Sequence, residues 1–306
     1  MKVLVTGATG FVGSEVLRQL HDAGHAPRVV SRNTQSPRVR NLVPAFATEL
    51  RTGDVLLPDS LKAACDGVDG VIHLVGIISE TGQQTFEKVH MEGTRNIVTA
   101  AQRAGAKHFI HMSALGTRPD AVSRYHKSKW AAEEIVRGSG LDWTIFRPSI
   151  IYGPGDGFVN LFARMSRFSP ALPLIGGGRS KFAPIPVADV ARCFVKSLTE
   201  PRSIRQTFDL CGYEVLTLRQ IVETILAVTN RKRLKLPLPF GIAQIQAMLL
   251  EFFCGTILRR PPPLNRDQLL MLQEDNVGNG QPAAELFGLG ETSFEKGIAA
   301  YLRRGV

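Results

Sequence analysis

The chain has 306 residues, 44% hydrophobic and 21% charged, with a formal net charge of +10. This is ordinary globular composition, enough for one large or two small domains. The cations are dispersed apart from Arg231-Lys232-Arg233 with Lys235, and no basic-aromatic array or zinc spacing occurs, which excludes nucleic-acid binding as a main role.

Four widely separated cysteines (Cys65, Cys193, Cys211, Cys254), with no CxxC, are expected as reduced thiols in a cytosolic protein. The chain opens directly into a strand, so no signal peptide is expected. The most apolar tract, 236–258, is interrupted as a membrane span by Pro237, Pro239, Gln244, Gln246 and Glu251. No cluster of metal ligands is visible, and no metal is expected.

Residues 1–14, MKVLVTGATGFVGS, organise the rest of the chain. Residues 2–5 suit a buried parallel strand. A turn through Gly7, Thr9 and Gly10 leads into an amphipathic helix with Phe11, Val12, Val16, Leu17 and Leu20 on one face. Gly7 takes the tight turn, Gly10 lets the backbone approach a pyrophosphate, and Gly13 lets the helix lie close to the sheet. The helix N-terminus offers free N–H groups and its positive dipole end to phosphate. The spacing is GxxGxxG, and the strand before it and helix after it mark a dinucleotide site.

Strands and helices then alternate. Strands are expected at 28–31, 45–51, 71–75, 107–112 and 142–147. Helices are expected at 60–65, 85–104 and 125–139. The rhythm predicts an α/β fold, a doubly wound parallel sheet of Rossmann type, in residues 1–150. Residues 151–306 should form a smaller C-terminal substrate lobe, with 184–212 (a helix at 187–199, a strand at 206–210) returning to the sheet. A further helix is expected at 218–229.

In such folds the informative residues follow the strands. After the second strand come Ser31 and Arg32, where an NAD-preferring site usually has an acid. A guanidinium suits a 2′-phosphate, favouring NADP(H) over NAD(H). Asp54 and Val55 after the third strand are candidates near the adenine, and Asp54 reads equally as a turn residue. Val75 and Gly76 follow the fourth strand, and Ser113 follows the fifth.

Tyr125 and Lys129 share one helical face. A lysine ammonium and a nicotinamide cation beside the phenol are expected to lower its pKa, fitting Tyr125 for proton transfer while hydride moves. His73, His111 and His126 read as scaffolding.

The segments TGATGFVG, GDV, HLVG, EGTRNIVTAA, YHKSK, FRPSIIYGPGD and PVADVA, in this order over about 1–230, resemble the short-chain dehydrogenase/reductase superfamily, extended or atypical branch. HMSALG, YHKSKWAAEE and PPPLNRDQLLMLQEDNV resemble, more narrowly, the group related to the NAD(P)H-binding accessory subunit of respiratory complex I. Its bacterial members are often called NAD-dependent epimerase/dehydratases. The resemblance implies that Gly7, Gly10 and Gly13 form the phosphate turn, with Arg32 at the 2′-phosphate and Asp54 at the adenine. Tyr125 and Lys129 would be the catalytic pair, and Pro148, Ser149, Ile150 and Ile151 would border the nicotinamide. Two departures weaken transfer of an epimerase mechanism. Ala114 stands at the usual Ser/Thr position, leaving Ser113 to substitute, and His90 replaces an expected Asn.

The leading expectation is an NADP(H)-dependent oxidoreductase acting on a hydrophobic or quinone-like carbonyl or alcohol. The alternative is a nucleotide-bound structural or assembly protein of a respiratory complex. A redox sensor is a third, opposed by the retained Tyr125/Lys129 pair. The apolar stretch from Phe240 to Phe253, with basic flanks that include Arg259 and Arg260, reads either as a helix capping the lobe or as a surface for a membrane, a partner or a lipid-like substrate. The expected location is cytoplasmic, or peripheral at the inner face of the membrane through 236–260.

Overall fold

A computed structural model describes residues 1–257, 262 and 264–303; Arg259 and Arg260 lie outside the described residues. Six parallel strands run in the first half: β1 (Lys2–Thr6), β2 (Ala26–Ser31), β3 (Glu49–Thr52), β4 (Gly70–His73), β5 (His108–Met112) and β6 (Asp142–Pro148). The strand Gln206–Leu210 pairs parallel with β6, giving a seven-stranded sheet in the order Gln206–Leu210, β6, β5, β4, β1, β2, β3. The order reverses beside β1, which places a crevice at the carboxyl ends of β1 and β4.

Helices cover both faces. On one, α1 (Phe11–Asp22) buries Val12, Val16, Leu17 and Leu20 with Val190 and Phe194 of the helix Val187–Lys196. On the other lie α3 (Lys62–Cys65), α4 (Gly93–Arg103) and α5 (Arg124–Arg137), through Leu61, Ile97, Ala101 and Val136. Burying a Val, Leu or Phe side chain contributes about 1.5–3 kcal/mol, so these two layers supply most of the sheet's stability.

Two elements differ from the sequence expectation. The third strand begins at Glu49, not at residue 45, because the helix α2 (Pro37–Ala45) precedes it. Ser36 caps α2 by accepting the Val39 N–H, and Pro37 occupies its first turn. Only Val39 is buried, and Pro44 lies inside, so no apolar period betrayed this helix. The helix expected from residue 85 starts as a π-helical turn, Glu87–Glu92, which runs into α4 and carries the buried Val89 and His90. Such turns recur at functional sites.

The C-terminal lobe has its own core. Helix Leu218–Val228 packs Ile221, Val222 and Ile225 against Leu172, Leu174, Phe294 and Ile298. Strand Leu234–Leu238 pairs parallel with Ala171–Ile175, and helix Phe240–Leu250 follows it. No helix among the described residues is long and apolar enough to cross a membrane.

Candidate active site

The crevice beside β1 is a cleft of about 400 Å³. Gly7, Thr9, Gly10, Ser31, Arg32, Asp54, Val55, Val75 and Gly76 all line it. Gly7 has φ +74°, and a Cβ there would meet the Leu74 carbonyl carbon at 3.0 Å and the Val75 nitrogen at 3.1 Å. A Cβ on Gly13 would overlap the Gly7 carbonyl oxygen and the Ala8 backbone. No side chain caps α1, so the N–H groups of Phe11, Val12 and Gly13 form its open end. A bare main-chain cradle ahead of an uncapped helix fits a dinucleotide diphosphate.

At the far end of the cleft Arg32 is the sole cation among the lining residues and Asp54 the sole acid. Asp54 Oδ1 accepts the Leu56 N–H at 3.0 Å, a turn role that coexists with a cleft-facing position. Ser36, the cap of α2, also lines this end and was missed from the sequence together with its helix. So were Gln84 and Val89, which no strand-end pattern would mark.

Tyr125 lies half-buried at the start of α5, and Ser123 caps that helix by accepting the His126 N–H at 3.1 Å. The phenol ring packs against Phe86, His90 and His126 at 5.9, 5.5 and 5.3 Å between centroids. Lys129, one turn on, is 2% exposed and donates to the Met112 carbonyl at 3.0 Å. A Cβ on Gly76 would lie 3.1 Å from the Lys129 Nζ, so the ammonium abuts the nucleotide cleft at this glycine.

Burial pushes the Lys129 ammonium down to about 8. It also pushes Tyr125 up to about 12, opposite to the lowering expected from a neighbouring lysine. The phenolate loses its hydration here, and the ammonium is spent on the Met112 carbonyl. Burial, and then the charge of Lys129, hold His73 down at about 3, His90 at about 2 and His111 well below the ordinary range. Lys129 is thus one buried cation among three neutral imidazoles.

His90 is wired rather than idle. The Ile77 N–H donates to its Nε2 at 3.0 Å, so its Nδ1 carries the hydrogen and donates to Ser128 Oγ at 2.8 Å. Ser128 in turn donates to the Tyr125 carbonyl at 2.7 Å. One imidazole thereby ties the loop after β4 to the first turn of α5. His73 bonds Thr6 and Thr94, whereas both ring nitrogens of His111 lack partners among the described residues.

Ser113 is buried, and its hydroxyl donates to Thr117 Oγ1 at 3.4 Å. Pro148, Ser149, Ile150 and Ile151 line neither this cleft nor the next. Ser149 Oγ bonds Asn276, and the Ile150 carbonyl accepts the Ile185 N–H, so this segment bolts the lobe to the sheet.

A second cleft, of about 790 Å³, has Phe86 and Arg124, neighbours of Tyr125, in its wall, while Tyr125, Lys129 and Ser113 themselves line neither cleft. Its wall is mixed: Phe86, Val122, Ile245, Met248 and Leu270 are apolar, and Glu80, Arg124, Glu251, Arg266 and Asp267 are charged. The segment 74–80 is a wall shared by both clefts: Leu74–Ile77 side with the first, Ser79 and Glu80 with the second.

A doubly wound sheet with this main-chain cradle defines a dinucleotide-binding protein. The chain belongs to the NAD(P)H-binding family, which residues 7–201 match. It is 38% identical over 204 residues to a ceramide reductase of Caulobacter vibrioides, covering 65% of this chain and 61% of that protein. It is 31% identical over 280 residues to the mitochondrial NADH dehydrogenase (ubiquinone) 1 alpha subcomplex subunit 9 of Arabidopsis thaliana, covering 89% and 70%. Its fold matches UDP-glucuronic acid 4-epimerase of Bacillus cereus, solved with UDP-glucuronic acid and NAD, at a TM-score of 0.71 over all of both chains and 18% identity.

Proposed function

We propose that the protein is an NADP(H)-dependent reductase of a hydrophobic carbonyl compound. The observation that carries this is the start of α5, where the Tyr125 ring packs on Phe86 of the outer cleft's wall and Lys129, one turn on, abuts Gly76 of the nucleotide cleft. Gly7, Gly10 and Gly13 with the open end of α1 hold the diphosphate, Arg32 and the α2 N-terminus with Ser36 hold the 2′-phosphate, and Lys129 beside Gly76 holds the nicotinamide ribose. The bound nucleotide supplies hydride to the carbonyl carbon. Tyr125 supplies the proton to the carbonyl oxygen, so that C=O becomes CH–OH. A phenol raised to about 12 is protonated at neutral pH, which suits the donor in reduction. The similarity to a ceramide reductase supports a lipid-like substrate.

The test is turnover of a panel of long-chain ketones and quinones with NADPH. Tyr125→Phe is expected to abolish turnover and keep nucleotide affinity; undiminished turnover would refute the role of Tyr125.

A second reading is a nucleotide-bound structural or assembly protein. Two observations favour it: the similarity to subunit 9, and a Ser113 hydroxyl committed to Thr117. Slowly exchanging, copurified NADPH with no consumption across the panel would select it.

A further inference from the structure

Helix Phe240–Leu250 is apolar around almost its whole circumference, yet only Ala243 and Ala247 are buried. They pack on Leu269, Leu238 and Ile175. A helix apolar all round is ordinarily enclosed. Here Ile242, Ile245, Met248 and Leu249, with Phe252 and Phe253 in the next turn, are 49–64% exposed.

The strand before the helix extends this surface. Side chains alternate along a strand, so Leu234, Leu236 and Leu238 share a face. Leu238 packs beneath the helix, while Leu234 and Leu236 are 68% and 54% exposed. Lys235 points to the other face and pairs with Glu223.

The rim is cationic. Arg231 and Arg233 bond Ala163 and Ser166 of the helix Val159–Phe168. Lys232, between those two arginines in the chain, is exposed, as are Arg164, Arg167 and Phe168 of that helix. Residues 224–250 contain no Asp or Glu, and the acids that flank them, Glu223 and Glu251, are paired with Lys235 and Arg266. A second copy would bring like charges together, whereas an anionic bilayer meets both the cations and the apolar face.

We propose that this face docks the protein on an anionic phospholipid bilayer, with helix Phe240–Leu250 lying in the interface plane. Docking does not depend on the redox reading. The outer cleft has Gly241, Ile245 and Met248 of the same helix in its wall, so the docked protein presents that cleft at the membrane. On the redox reading, the substrate is then an amphiphile carried by the bilayer.

The experiment is co-sedimentation of the whole protein with phosphatidylcholine vesicles, with and without phosphatidylglycerol, alongside sedimentation velocity without lipid. Two variants accompany it: Leu249→Ser/Phe252→Ser/Phe253→Ser, and Arg164→Glu/Arg167→Glu/Lys232→Glu. NADPH titration of each, which should equal wild type, verifies folding and is read separately from docking. Wild type is expected to bind anionic vesicles at least about tenfold more tightly than neutral ones. The serine variant should lose binding to both, and the glutamate variant should lose the anionic preference. Absence of wild-type binding, or equal binding by the serine variant, would overturn the proposal. A concentration-dependent dimer that the serine variant abolishes would overturn it in favour of self-association.

Discussion

The carboxylate of Asp267 accepts the backbone N–H of Tyr125 at 3.0 Å through Oδ2, and that of Arg124 at 2.7 Å through Oδ1. A residue far along the C-terminal lobe thus satisfies two open donors of α5 and adds negative charge at its positive end. The same carboxylate lines the outer cleft and holds the backbone of Tyr125. Asp267→Ala is expected to cost about 1–2 kcal/mol in urea unfolding. It should raise KM for the ketone panel several-fold more than it lowers kcat, with NADPH affinity unchanged.

The buried histidines set an acid limit. His73 and His90 titrate near 3 and 2 when folded, and His111 lies well below its ordinary range. Unfolded, each takes a proton near 6.5. Below that pH the unfolded chain binds more protons, so stability falls as pH falls. At pH 5 His73 and His90 each remove about 2 kcal/mol, and His111 adds to the loss. Urea midpoints should drop steeply between pH 6.5 and 5. His111→Leu, which discards a side chain with no hydrogen bonds among the described residues, should shrink that drop.

Lys129 acts at the other end of the scale. Its folded pKa of about 8 lies below the ordinary 10.5. Between these values the folded protein has released the proton and the unfolded chain has kept it. Stability from this group therefore rises with pH across the window, by about 3 kcal/mol at most. Cys65, pushed up to about 12 by burial, opposes it, so the difference between wild type and Lys129→Met is the informative quantity. Wild type should gain on the variant from pH 8 to 10; a constant difference would mean that the ammonium is hydrated.

Much of this architecture was legible because parallel strands and their helices carry strong periodicity. Val3–Val5 and Ile72 sit in continuous apolar runs, and α1 shows an unbroken apolar face. Helix α2 was invisible because its stability comes from the Ser36 cap and Pro37 rather than from burial. The cradle glycines were readable since each meets a backbone that leaves no room for a side chain. The opposed shifts of Tyr125 and Lys129 were not, because both depend on burial that distant segments create. The link from Asp267 to Tyr125 spans 142 residues and has no local signature.

The proposed preference for NADPH rests on the end of β2. Arg32 is the lone cation lining the cleft there. Arg32→Glu is expected to weaken NADPH by about tenfold or more and to leave NADH unchanged or improved, measured by titration calorimetry. An unchanged NADPH-to-NADH ratio would remove Arg32 from the 2′-phosphate site.

The most direct measurement is titration of the purified protein with NADPH and NADH, by heat and by thermal unfolding. One saturable site, NADPH tighter than NADH, and a melting temperature that climbs with nucleotide concentration are the predicted result. No heat and no rise in melting temperature with either nucleotide would contradict the claim that the main-chain cradle of Gly7, Gly10 and Gly13 binds a dinucleotide.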